Sequence, residues 1–268
     1  MKKLIATLLA VGLVATLGAC GAKKDDATLK VAATAVPHAE ILNACKDMMK
    51  EKGYTLEVTE YSDYIIPNTA VEESEEDANF FQHTPYLEQF NTDNGTHLVS
   101  VAKIHYEPMG IYPGKSASIE EVPDGGTVAV PNDVTNEARA LQLLAAQGLI
   151  EIDPAAGLNA TPKDITSNPK NLEFTELEAA MLPKTVEEFD LNVINSNFAM
   201  DAGLNPATDA LASEGADSEG AQTYANVLVV KEGNEDNEAI KALIECLTSD
   251  ETRAFIEETY GGAVVPVF

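Results

Sequence analysis

"GTVAVPNDVTNEARALQLLAAQG", residues 126–148, changes its periodicity halfway along. Residues 127–130 are short, β-branched and apolar, the composition of a buried strand. Pro131, Asn132 and Asp133 then make a turn, Thr135 is placed to cap a helix, and Ala138, Leu141, Leu144 and Ala145 recur along one helical face. Gly148 ends that helix. A strand running straight into a helix is the building unit of an α/β protein. The same stretch holds Arg139, one of two arginines in a chain with 17 basic and 44 acidic residues; the other is Arg253. Arg139 falls opposite Leu141, away from the apolar stripe, in a first helical turn where free N–H groups and the dipole favour anions. Its planar fork suits a carboxylate. From this stretch alone, an ion pair with one of the many surface acids is the plainer reading.

Strand and helix patterns alternate on both sides. Upstream, 28–34 (TLKVAAT), 55–61 (TLEVTEY), 77–82 (DANFFQ) and 97–106 (HLVSVAKIHY) read as strands. Residues 38–53 read as one amphipathic helix stopped by Gly53, and 84–91 as a short one. The Pro, Gly and Ser of 113–126 mark a connector. Downstream come 171–177, a helix around 179–182, and 190–199, followed by a polar loop over 203–223. Strand 224–233, helices 237–249 and 251–260, and an apolar tail complete the chain. This alternation predicts two α/β lobes, each with a mainly parallel sheet and joined by two crossings: 28–112 with 226–268, and 113–225.

The first residues belong to export. Lys2 and Lys3, an apolar run from Leu4 to Leu17 and the ending LGAC make 1–19 a secretory signal, with too short an apolar core to span a bilayer. LGAC is also a lipobox, which makes Cys20 the lipidated first residue and 20–27 a tether on the extracytoplasmic face. The composition, 45% hydrophobic and 23% charged, is that of a folded protein. A net charge of −27 excludes nucleic acid as a partner. Cys45 and Cys246 lie on or beside apolar helical stripes; export permits a disulfide between them, but their spacing gives no geometry for one. No CxxC, HExxH, GxSxG, Walker A or GxGxxG pattern occurs, and His38, His83, His97 and His105 lack helical metal-ligand spacing. These absences weigh against an enzyme, a cofactor or a bound metal. A metal-ion receptor, a secreted enzyme and a lipid-anchored adhesin remain as alternatives.

Tyr64, Phe80, Phe81, His83 and Tyr86 crowd into a short span of a chain that is only 6% aromatic. Such a set suits an apolar or thioether group, although Phe80 reads as core. Asn195, Asn197 and Asn226 sit at strand ends, where amides brace loops or fix the polar end of a zwitterion.

With these residues in view, the lipobox, SDYIIPN, DANFFQHTPYL, PMGIY, VAVPNDVTNEARALQLL, ITSNPKNLEFTELEAAMLP, VINSNFA, YANVLVV and GGAVVP together resemble the methionine-binding lipoproteins of ABC importers, the NlpA/MetQ-like family. The likeness runs in order from about residue 28 to the C-terminus; only the loop 204–223 runs longer than the family pattern. It implies a two-lobed periplasmic-binding-protein (Venus-flytrap) fold, monomeric, that delivers its ligand to a permease driven by an ATPase. It also implies that Tyr64, Phe81, His83 and Tyr86 surround a thioether, that Arg139 with Asn136 holds a carboxylate, and that Asn195, Asn197 and Asn226 contact the ligand's polar end. The ligand so implied is L-methionine, D-methionine or a methionine dipeptide.

Overall fold

Strand β1 (Ala27–Ala33) opens the part of the chain that a computed structural model describes, residues 27–215 and 222–268. The predicted signal peptide 1–19, its lipid site Cys20 and the tether up to residue 26 lie outside the described residues. Helices α1 (Glu40–Ala44) and α2 (Lys46–Glu51) carry the chain back to β2 (Tyr54–Glu60), which pairs parallel to β1. The sequence predicts one helix here. The chain breaks it at Cys45, whose N–H bonds to Leu42 O, three residues back, and tightens one turn. Gly53, with φ +85°, then provides the left-handed residue that ends the helix.

Next come α3 (Ile66–Glu72), β3 (Ala78–His83), α4 (Thr84–Asn94) and β4 (Leu98–Tyr106). The chain then crosses into a second sheet with β5 (Gly110–Pro113), β6 (Thr127–Pro131) and α5 (Val134–Ala146). A small ribbon of β7 (Glu151–Ile152) and β8 (Ile165–Ser167) precedes β9 (Glu173–Leu177). A 3-10 segment, Ala179–Lys184, leads to β10 (Leu191–Ile194), α6 (Ser196–Asp201) and β11 (Ala212–Ser213). The return crossing enters β12 (Asn226–Lys231), followed by α7 (Glu238–Leu247), α8 (Asp250–Tyr260) and β13 (Val265–Pro266).

Two sheets result, ordered β13-β4-β12-β3-β1-β2 and β11-β5-β10-β6-β9. Three adjacent strands in each sheet, β3-β1-β2 and β10-β6-β9, pair parallel, as the alternating pattern predicts; β4, β12, β13, β5 and β11 join through antiparallel pairs. The antiparallel strands are those that cross between lobes or close an edge, so the sheets are mixed. The first crossing falls at Glu107–Met109, earlier than the boundary read at residue 112, because β5 pairs with β10 and β11.

Each sheet has its own core. Leu29, Val31, Phe80, Leu228, Ile240 and Leu243 pack in the first lobe, whereas Ile111, Val128, Leu141, Leu144 and Val193 pack in the second. Each such side chain contributes about 1.5–3 kcal/mol on burial. Phe80 is core, as its strand position implies. Cys45 and Cys246 are both free and buried within the first core. Burial pushes the Cys45 thiol up to about 12, so it stays protonated.

Candidate ligand-binding cleft

The turn at 131–133 and the helix that follows it build one wall of the cleft. The N-cap of α5 is Asp133 rather than Thr135: Asp133 Oδ1 accepts the Asn136 N–H at 3.0 Å, and the helix starts at Val134. The carboxylate serves better than a hydroxyl because it also takes both Asn136 Nδ2 bonds, at 2.9 and 3.0 Å, and the Thr135 hydroxyl at 3.2 Å. Asn136 is thereby turned so that its Oδ1 faces the opposite lobe.

There it meets His83, the last residue of β3. His83 caps α4 by accepting the Tyr86 N–H on Nδ1 at 3.2 Å, which places its proton on Nε2. That Nε2–H donates to Asn136 Oδ1 at 3.1 Å across the cleft. Burial, and then the nearby charge of Arg139, push His83 down to about 3, so the ring is neutral. Phe81, two residues earlier on β3, shares its face of the strand, while Phe80 turns into the core. Tyr64 lies 5.7 Å from Phe81 and 5.6 Å from Tyr86 between ring centroids, and Phe198 from the second lobe comes within 4.8 Å of it. The Tyr64 hydroxyl donates to Asn197 Oδ1 at 2.5 Å, a second bond between lobes. The lobes are therefore closed on each other.

Between them is a concave pocket lined by residues of both lobes. Tyr64, Phe81, His83, Tyr86, Asn136, Arg139, Asn195, Asn197 and Asn226 all line it, so the nine residues singled out by sequence meet in one place. Asn195 donates to Asn136 Oδ1 at 2.8 Å, while its own Oδ1 is buried without a partner among the described residues. Asn226 Oδ1 lies 3.1 Å from His38 Nε2.

Two acids that the sequence reading did not single out complete the electrostatics. Arg139 is 4% exposed, and Glu214 holds it by two bonds, Nε to Oε1 at 2.8 Å and Nη2 to Oε2 at 2.5 Å. Nη2 also donates to Glu107 O at 2.8 Å. Burial opposes the guanidinium charge, but Glu214 outweighs it and raises the arginine's pKa. Glu107, at the first crossing, also lines the cavity. Its Oε1 lies 2.7 Å from His105 Nε2 and 3.3 Å from His38 Nε2. Burial raises the Glu107 pKa, opposed by His38 and Arg139. Neither acid carries a local sequence signal: Glu214 sits in a loop full of acids, and Glu107 at a strand end.

The imidazoles give a pH prediction. Burial lowers His38 to about 4, against the pull of Glu107, and His105 to about 3. With His83, these rings are neutral when folded and take up protons below about 6.5 only when unfolded. Their contribution is therefore complete above pH 6.5 and is lost as pH falls toward 4. Each can cost up to about 1.4 kcal/mol per pH unit in that window, while the raised Glu107 works in the opposite direction. Urea midpoints of wild type should fall from pH 6.5 to 4, and His83→Gln should flatten the slope by close to one proton. Identical slopes would contradict a neutral His83.

The family model of the NlpA lipoproteins matches residues 29–268. The methionine-binding lipoprotein MetQ of Bacillus subtilis is 42% identical, over 100% of this chain and 99% of its own. Among solved structures, a lipoprotein of Ruminococcus gnavus is 55% identical with a TM-score of 0.89, over 90% of this chain and 99% of its own. A nutrient-binding protein of Burkholderia cenocepacia, described as bound to methionine, is 38% identical with a TM-score of 0.85, over 90% of this chain and 100% of its own. Sequence and fold agree over nearly the whole chain: the chain belongs to the NlpA lipoprotein family.

Proposed function

We propose that this chain is the substrate-binding lipoprotein of an ABC importer and that it captures methionine, or a closely related methionine compound, between its lobes. The observation that carries this reading is the polarity of the cavity. Its lining gathers aromatic rings, suited to a thioether that packs at ring edges. The same lining offers a guanidinium, an acidic residue and the unpartnered Asn195 Oδ1. A zwitterion with a thioether tail satisfies both sets. Its carboxylate goes to Arg139, its ammonium to Glu107 and Asn195 Oδ1, and Asn136, Asn197 and Asn226 steady the frame. Similarity to proteins named for methionine supports the assignment.

In this mechanism the open lobes meet the ligand and hinge at residues 107–109 and 222–225 to close over it. The closed form is then presented to a membrane permease and its ATPase, while a lipid on Cys20 keeps the monomeric protein at the extracytoplasmic face. No chemistry on the ligand is required, so the protein is a carrier rather than an enzyme.

A metal-receptor reading has one observation in its favour. His38, His105 and Glu107 are buried, with possible ligand atoms within 4.8 Å of one another. Three of the four ring nitrogens are already in use, however: Thr34 Oγ1 lies 2.7 Å from His38 Nδ1, and both Nε2 atoms face Glu107 or Asn226, while His105 Nδ1 has no hydrogen bond among the described residues. A hydrogen-bonded cluster accounts for them.

The test is mass spectrometry of small molecules released when the purified protein is denatured, beside a thermal-shift screen of all amino acids. Methionine is expected in the first, and the largest rise in melting temperature with methionine in the second. A transition metal at one equivalent, or a rise with other ligands only, would overturn the reading.

A further inference from the structure

Glu214 is placed unusually for an acid in a polar loop. It follows β11 directly, and its backbone N–H donates to Met109 O at 3.1 Å, which ties it to the first crossing. Its Oε2 accepts from the Tyr106 hydroxyl at 2.7 Å and the Met109 N–H at 2.8 Å, in addition to Arg139 Nη2. The Tyr224 ring lies 4.3 Å from the guanidinium carbon. Arg139 is thus clamped along its Nε–Nη2 edge, and Nη1 makes none of these bonds. Burial works against ionisation of Glu214, but Arg139 and the hydrogen bonds prevail and hold its carboxyl below the usual range.

The charges then decide what can enter. Arg139 is the one cation lining the cavity among the described residues, and Glu214 already neutralises it from behind. Glu107 lines the same cavity. A ligand carboxylate therefore meets an N–H donor with little net positive charge behind it, whereas a ligand ammonium enters a pocket that holds an acidic residue and an unpartnered amide oxygen. Inside a buried site such imbalances are poorly screened.

Building on the methionine reading, we propose that Glu214 is a specificity-determining residue: a resident counter-carboxylate that cancels the charge of Arg139, so that the cleft selects for an α-ammonium group and against a net negative ligand. The substrate class follows from this. Zwitterionic methionine is accepted, a thioether amine whose carboxyl is masked as an amide is tolerated, and a thioether acid without the amine is rejected.

Three probes of nearly one shape separate the charges: methionine, methioninamide and 4-(methylthio)butanoate. Calorimetry on wild type is expected to place methioninamide within about tenfold of methionine and the butanoate at least about 100-fold weaker. Glu214→Gln keeps the size and one acceptor oxygen but removes the charge, and should improve the butanoate at least about tenfold relative to the amide. Glu214→Asp keeps the charge and should keep the wild-type ratio, which a merely structural role for the side chain does not predict. If E214Q is too unstable for calorimetry, the same ratio is read from ligand-induced shifts in its melting temperature. An E214Q protein that binds methionine with an unchanged amide-to-butanoate ratio would overturn this proposal alone. Wild type that binds none of the three would overturn the methionine reading and this proposal with it.

Discussion

Arg139→Ala is expected to weaken methionine binding by at least about 100-fold and to lower the melting temperature as well. A charge-assisted hydrogen bond at a buried site contributes about 1.5–3 kcal/mol, which alone is about ten- to 100-fold in affinity. The variant loses more, because Glu214 stays behind without its cation, 15% exposed at the side chain and close to the ligand's own carboxylate. Breaking a buried pair by removing one partner costs about 3–5 kcal/mol of stability. Arg139→Lys separates the two effects. A lysine keeps the charge and can answer Glu214, but its point-like ammonium cannot also span to the ligand as the fork does. The lysine variant should melt close to wild type and still bind methionine at least about tenfold more weakly. Calorimetry and thermal melts on both variants check this; a lysine variant with wild-type affinity would remove Arg139 from the grip.

Asn136→Ala is expected to have the next largest effect, and to act on closure. Asn136 Oδ1 receives His83 Nε2–H from one lobe and Asn195 Nδ2 from the other, at 3.1 and 2.8 Å. Removing it leaves two buried donors without an acceptor, at about 1–3 kcal/mol each. That penalty falls on the closed form, since opening lets water reach both groups. The variant should bind methionine about ten- to 100-fold more weakly. Its ligand-free radius of gyration in solution scattering should rise above wild type and return toward it on saturation with methionine. Unchanged affinity and an unchanged radius would show that the Asn136 bridge does not hold the lobes.

How much of this was legible in the sequence depends on whether the causes are local. Strand-to-helix switches such as 127–148 are local, so the two α/β lobes and the return of the C-terminal segment could be read directly. The break at Cys45 could not: 38–53 carries a continuous apolar stripe, and the tighter turn at Leu42–Cys45 changes no residue's face. The sequence suggests a lobe boundary at 112–113 because 113–126 looks like a connector, whereas β5 is fixed by pairing with β10 and β11, far away in sequence. The same division holds for the cleft. Residues with a distinctive local setting, the rare arginine at a helix start and the clustered rings, stand out in the sequence and converge on one cavity. Glu107 and Glu214 do not stand out, because 44 acids dilute any single acid and only the fold brings Glu214 to Arg139 across 75 residues.

The most direct measurement is a crystal structure of the protein saturated with methionine. It should show the carboxylate within hydrogen-bond reach of Arg139 Nη1, the ammonium between Glu107 and Asn195 Oδ1, and the sulfur among Tyr64, Phe81, His83 and Tyr86. A methionine bound outside the lobes, or turned so that its thioether faces Arg139, would contradict the account.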